Sequence, residues 1–212
     1  MAGKLGPELR WFFKGVIPSE VREWFSKLSG GDRPLKEESR KDLYLIVKDR
    51  KDLALKISRG SLELKWRQDA QPLSLSGPGL IGVKEIWRKE KWRFAKEFAD
   101  ELVIAFGQPH LKGRRAEVAK TRLMHKLQVD ASGELRALAA GEKPAYLLQV
   151  ELTSLTKHDR PWWTLCLEMA GEPDHLPEFF AGAVEKILHG HPQLDLQASH
   201  SYGYPQWLAL SD

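Results

Sequence analysis

The run Ala116–Val129, AEVAKTRLMHKLQV, decides how the rest of the chain is read. With a strand's period of two, Val118, Lys120, Arg122, Met124 and Lys126 share one face, and Ala119, Thr121, Leu123 and Leu127 share the other. One such strand fits a solvated sheet face equally well. The alternation recurs, however. Glu8 and Arg10 alternate with Leu9, Trp11 and Phe13; Glu63, Lys65 and Arg67 alternate with Leu62, Leu64 and Trp66; Gln149, Glu151 and Thr153 alternate with Leu148, Val150 and Leu152. Strands that repeatedly turn cations and a few carboxylates to one side are read as lining a polar lumen. Those residue types suit a polyanion, with a divalent metal ion as a further candidate.

Working outward, Pro7–Lys14 reads as a strand and Ile17–Leu28 as a helix started by Pro18 and Ser19 and stopped by Gly30-Gly31. Asp42–Lys48 is a strand after a polar link. Leu53–Ser58 and Leu62–Arg67 form a hairpin around Arg59-Gly60-Ser61. Gln68–Gly79, with its prolines and glycines, reads as a loop, and Leu80–Phe94 as a long strand. Ala95–Phe106 follows as a helix, then the opening strand, the strands Ala145–Thr156 and Trp162–Met169, and the helix Asp174–His189 capped by Asp174. The tail carries SYGYPQWL, Ser201–Leu208, whose Trp207 is read as terminal packing. Roughly eight strands and three helices, joined by short turns, predict an α+β fold: an antiparallel eight-stranded β-barrel with flanking helices, one domain over residues 1–212. An open sheet with one wet face is the alternative.

Composition narrows the function classes. Of 212 residues, 33 are Lys or Arg and 29 are Asp or Glu, for a formal net charge of +4. That excess is compatible with an anionic ligand and too small for a nucleic-acid footprint. Cys166 is the only cysteine, so no internal disulfide forms and a reducing, cytoplasmic setting is expected. No apolar run approaches ~18 residues, so no membrane span is expected. The seven histidines show no ligand spacing.

Taken in order, several short motifs resemble the CYTH superfamily, the triphosphate tunnel metalloenzymes. Glu8-Leu9-Arg10-Trp11-Phe12 stands where that family has Glu-x-Glu-x-Lys, and Asp42-Leu43-Tyr44 matches its Asp-x-Tyr strand. Leu55-Lys56-Ile57-Ser58 and Leu62-Glu63-Leu64-Lys65 resemble its next two strands, and Lys120-Thr121-Arg122 matches its Lys-x-Arg strand. Gln149-Val150-Glu151 and Cys166-Leu167-Glu168 resemble its late acidic strands. The resemblance spans nearly the whole chain. It implies a tunnel whose cations Arg10, Lys56, Lys65, Lys89, Lys120 and Arg122 hold phosphates, whose carboxylates Glu8, Glu151 and Glu168 hold Mg²⁺ or Mn²⁺, and whose ligand is a small organic or inorganic triphosphate or polyphosphate. The departures are four: Arg10 replaces a second Glu, Phe12 replaces a Lys, Ser58 replaces an Arg that would grip phosphate, and Cys166 replaces the first acid of the last motif. Metal-dependent phosphoanhydride hydrolysis and binding without turnover therefore both stand as readings, with binding favoured. A nucleic-acid or protein-interaction domain comes third.

Overall fold

The computed structural model describes residues 4–28, 35–74, 81–106, 108, 114–139 and 141–210. Eight antiparallel strands close into a barrel: β1 (Lys4–Lys14), β2 (Glu38–Leu45), β3 (Leu53–Ser58), β4 (Ser61–Ser74), β5 (Ile81–Arg93), β6 (Arg115–Val129), β8 (Tyr146–Lys157) and β9 (Arg160–Ala170). Around the wall the order is β2-β3-β4-β5-β1-β9-β8-β6, and β6 returns to β2. The opening stretch is thus the closing strand. One edge of β6 pairs with β8 from Ala119 to Val129, and the other pairs with β2 from Arg115 to Arg122. A three-residue strand, β7 (Leu135–Ala137), continues that second edge beyond the end of β2.

Alternation along the strands then creates two apolar regions. Odd residues of β1 and β9, such as Leu9, Trp11, Trp163 and Leu165, face outward. They pack under α1 (Ser19–Lys27) and α3 (Leu176–Leu188), whose Phe25, Phe180 and Val184 complete the larger core. The second region lies inside the barrel at the end holding Phe12, Val118, Leu155 and Trp162. It is filled by the tail, which forms a short helix α4 (Tyr204–Ala209). Phe12 stacks on Tyr202 and Trp207 at 5.2 and 5.1 Å, which gives the residue standing in place of a lysine a packing role. The tail enters where β1 and β5 part beyond Leu9. Tyr202 N–H donates to Arg10 O (3.1 Å), and Val83 N–H donates to Ser201 Oγ (2.8 Å). Lys157 Nζ, buried on β8, donates to Leu210 O (2.9 Å) and anchors the end of α4.

Some boundaries differ from expectation. β2 begins at Glu38, four residues early, and ends at Leu45. β4 continues through Ser74 after a bulge between Arg67 and Asp69, so Gln68–Ser74 is a strand arm rather than a loop. Its partner β5 supports it despite Pro72, because the arm is exposed and a proline is tolerated there. Asp174 lies in a 3₁₀ turn, and the N-cap of α3 is His175, without a side-chain cap bond. Gly30-Gly31 and residues 75–80 lie outside the described residues. Among the described residues, no helix is long and apolar enough to cross a membrane.

The passage of the tail past β5 leaves no room at Gly203. A Cβ there would sit 2.7 Å from Trp87 Cζ2 and 3.0 Å from Glu85 Oε2. Gly203→Ala is expected to cost about 1–3 kcal/mol by overpacking, read as a lower urea midpoint with an unchanged slope.

Candidate ligand-binding lumen

The half of the barrel not filled by the tail holds a cavity of about 90 Å³, room for several waters. All nine residues singled out from the sequence line it: Arg10, Lys56, Lys65, Lys89, Lys120, Arg122, Glu8, Glu151 and Glu168. They converge because each occupies an inward position of its strand. Arg40, Glu63, Tyr44, Trp87 and Tyr204 line it too. The lining carries seven cations against four carboxylates, and the cations come from six strands, β1 to β6.

The charges form a connected network. At its deepest point Asp42, 0% exposed, meets Lys120 at 3.1 Å, Arg40 at 3.1 Å and Lys56 at 3.6 Å, and accepts a hydrogen bond from Ser58 Oγ at 2.5 Å. Burial alone would raise the pKa of Asp42; Lys120, Lys56 and Ser58 outweigh it and hold the carboxyl well below the usual range. Lys120 also donates to Tyr44 Oη at 2.7 Å and lies 3.7 Å from the centre of the Tyr204 ring. Glu63 bridges Lys56 and Lys89, at 3.1 Å each. Lys65 reaches Glu8 (2.8 Å) rather than its same-strand neighbour Glu63. Arg10 is the hub between β1 and β8. Its guanidinium donates to Glu8 (2.9 Å), Glu151 (3.4 Å) and Thr164 Oγ1 (3.2 Å), and it lies 4.8 Å from the Tyr204 ring centre. Arg122 clasps Glu151 (3.0 Å) and Glu38.

Against burial, Lys56 and Lys89 bring the Glu63 carboxyl down to about 2, and Arg10 and Arg122 do the same for Glu151. Glu8 is lowered further, with Lys65 and Arg10 overcoming its burial.

A divalent cation needs several free oxygen ligands at short range. Here both oxygens of Glu8 are taken by Arg10 and Lys65, and both oxygens of Glu151 by Arg10 and Arg122. Glu168 lines the cavity with no ion pair among the described residues, directly across the β1–β9 ladder from Glu8. Among the described residues no three His, Cys, Asp or Glu side chains are grouped to hold a metal. The guanidinium of Arg10 stands between the carboxylates that would have to share the ion. The donor set as arranged does not fit Mg²⁺ or Mn²⁺.

Several network members fall outside those nine residues, among them Glu38, Arg40, Asp42 and Tyr204. Glu38 and Arg40 fall before the expected start of β2, although 38, 40, 42 and 44 alternate cleanly onto the inner face. Asp42 was seen only as a motif match, and Tyr204 reaches the lumen through the course of the tail, which no local pattern encodes.

No protein-family model matches the chain, and no curated protein matches it. Among solved structures it is similar to the RNA triphosphatase domain of a trifunctional mimivirus mRNA capping enzyme. The identity is 8% and the TM-score 0.41, over 85% of this chain and 90% of that one. That likeness bears on neither substrate nor activity.

Proposed function

We propose that the lumen binds a small organic or inorganic compound carrying several phosphates in a row, a triphosphate or polyphosphate, without a divalent metal ion and without turnover. The observation that carries this reading is the convergence of seven cations from six strands on one cavity inside the barrel. Fixed cations pointing inward from opposite walls suit a linear polyanion, whose oxygens can be met from all sides. Arg10, Arg40 and Arg122 offer planar forks for paired oxygens, and Lys56, Lys65, Lys89 and Lys120 offer point charges. The ligand exchanges protein carboxylates for phosphate oxygens as partners of these cations. The motif resemblance to the triphosphate tunnel family supports the same class of ligand, and the departures at Arg10 and Cys166 agree with binding in place of hydrolysis.

Tripolyphosphate in the presence of EDTA is expected to raise the melting temperature of the wild-type protein. Lys120→Ala combined with Arg122→Ala should abolish the shift, and phosphate release with added Mg²⁺ or Mn²⁺ should stay at blank. A shift that needs the metal, or that survives in the double variant, would sink the reading.

A further inference from the structure

The barrel is covered unevenly. α1 and α3 bury the wall made by β1, β9, β8 and β6. On the opposite wall, Glu63 and Lys65 of β4 face the lumen, so Leu62, Leu64 and Trp66 face outward. They continue across neighbouring strands as the pairs Leu55–Leu64, Leu53–Trp66 and Leu62–Trp92. Trp92 is 44% exposed, and none of these residues belongs to either apolar core. Among the described helices, α2 (Lys96–Phe106) packs on β3 of this wall, and it turns Phe98 and Ile104 to solvent, the latter 64% exposed.

Two charges interrupt the apolar wall, Arg88 and Glu90, on the outer face of β5 opposite Trp66 and Leu64. Arg88 lies over the Trp66 ring (5.9 Å to its centre), and its Nε is buried without a hydrogen-bond partner. Glu90 forms no ion pair or hydrogen bond among the described residues. Opposite charges two residues apart on one face are self-complementary. A two-fold axis lying in an interface and crossing β5 at Lys89 brings each copy's Arg88 against the other's Glu90.

We propose that this wall, together with α2, is the interface of a two-fold homodimer, its apolar ladder flanked by two reciprocal Arg88–Glu90 pairs. Four strands about 4.8 Å apart and about five residues deep present roughly 300 Å². With the open side of α2, two copies bury roughly 1,000 Å², near the lower bound for a specific interface. The dimer is therefore reversible. The inference is independent of the lumen and of what it binds.

Sedimentation velocity of the full chain over the micromolar range should show a monomer–dimer equilibrium. Arg88→Glu and Glu90→Arg should each weaken it by about tenfold or more, because like charges then face each other. The double variant, Arg88→Glu with Glu90→Arg, should recover dimerisation, since the pairs re-form with signs exchanged. Trp92→Glu, at an exposed ring, should also yield monomer with an unchanged circular dichroism spectrum. A wild-type chain that stays monomeric throughout the range would assign the wall to a different protein and overturn the proposal. So would a double variant no better than the single ones.

Discussion

Arg10→Ala should lower the unfolding free energy by about 3–5 kcal/mol, the range for removing one partner of a buried ionic pair. Arg10 is 6% exposed and is the only cation bridging Glu8 of β1 to Glu151 of β8 among the described residues. Its loss leaves both carboxylates buried and anionic, each with one cation fewer, and leaves Thr164 Oγ1 without its guanidinium donor. It also removes one of the two cations beside the Tyr204 ring of the tail, leaving Lys120. Arg10→Lys should recover only part of the loss, since one ammonium cannot replace a fork that spans Glu8, Glu151 and Thr164. The electrostatic origin is separable from lost packing. In the Arg10→Ala background, Glu8→Gln should restore stability, whereas in the wild type it should reduce it. Urea titrations of the four proteins close that cycle. A Glu8→Gln change that destabilises both backgrounds equally would show that Arg10 does not stabilise the fold through its pair with Glu8.

The inward set of side chains was legible because period two fixes the face of a strand residue. Once Lys120 and Arg122 are assigned inward, Lys65, Lys56 and Glu151 follow by the same rule, and all fall in one cavity. Partners were not legible. Lys65 has Glu63 two residues away on its own face, yet its ion pair is with Glu8 on another strand. Which side chains meet across a barrel depends on closure and stagger, which are properties of the whole sheet. Arg40 was lost to a boundary: no breaker separates the polar link from β2, so the strand's start leaves no local mark. β7, with three residues, is too short to show a period. The role of Phe12 was visible only as a departure from a motif. Its reason lies some 190 residues further along the chain, in Tyr202 and Trp207 of the tail. The outer apolar face of β2–β5 was legible as alternation, but that α2 packs only on its β3 part, among the described helices, was not.

Acidification should unfold the protein cooperatively between about pH 4.5 and pH 2, with these groups leaving stability flat above that window. The sign follows from the lumen carboxylates. Glu63 and Glu151 sit at about 2 in the fold against an ordinary value of 4.5. In that interval the unfolded chain binds more protons than the native one, so stability rises with pH and is lost as pH falls toward the folded values. A shift of this size corresponds to about 3 kcal/mol for each of the two groups. Together they rival the whole stability of an ordinary domain, about 5–15 kcal/mol. Glu8 and Asp42, also held low, act in the same direction. Glu85 opposes them, because burial raises its carboxyl despite the contact with Arg67, and its contribution grows on acidification. One opposing group against four does not change the sign. Tryptophan fluorescence against pH measures the transition, and urea titrations at pH 3.5 and pH 6 measure the slope. Glu151→Gln should shallow that slope by one group's worth, because a glutamine has no proton to take up. If the variant is less stable by the same amount at both pH values, the lumen carboxylates are not the titrating groups and the ion-paired network does not set acid stability.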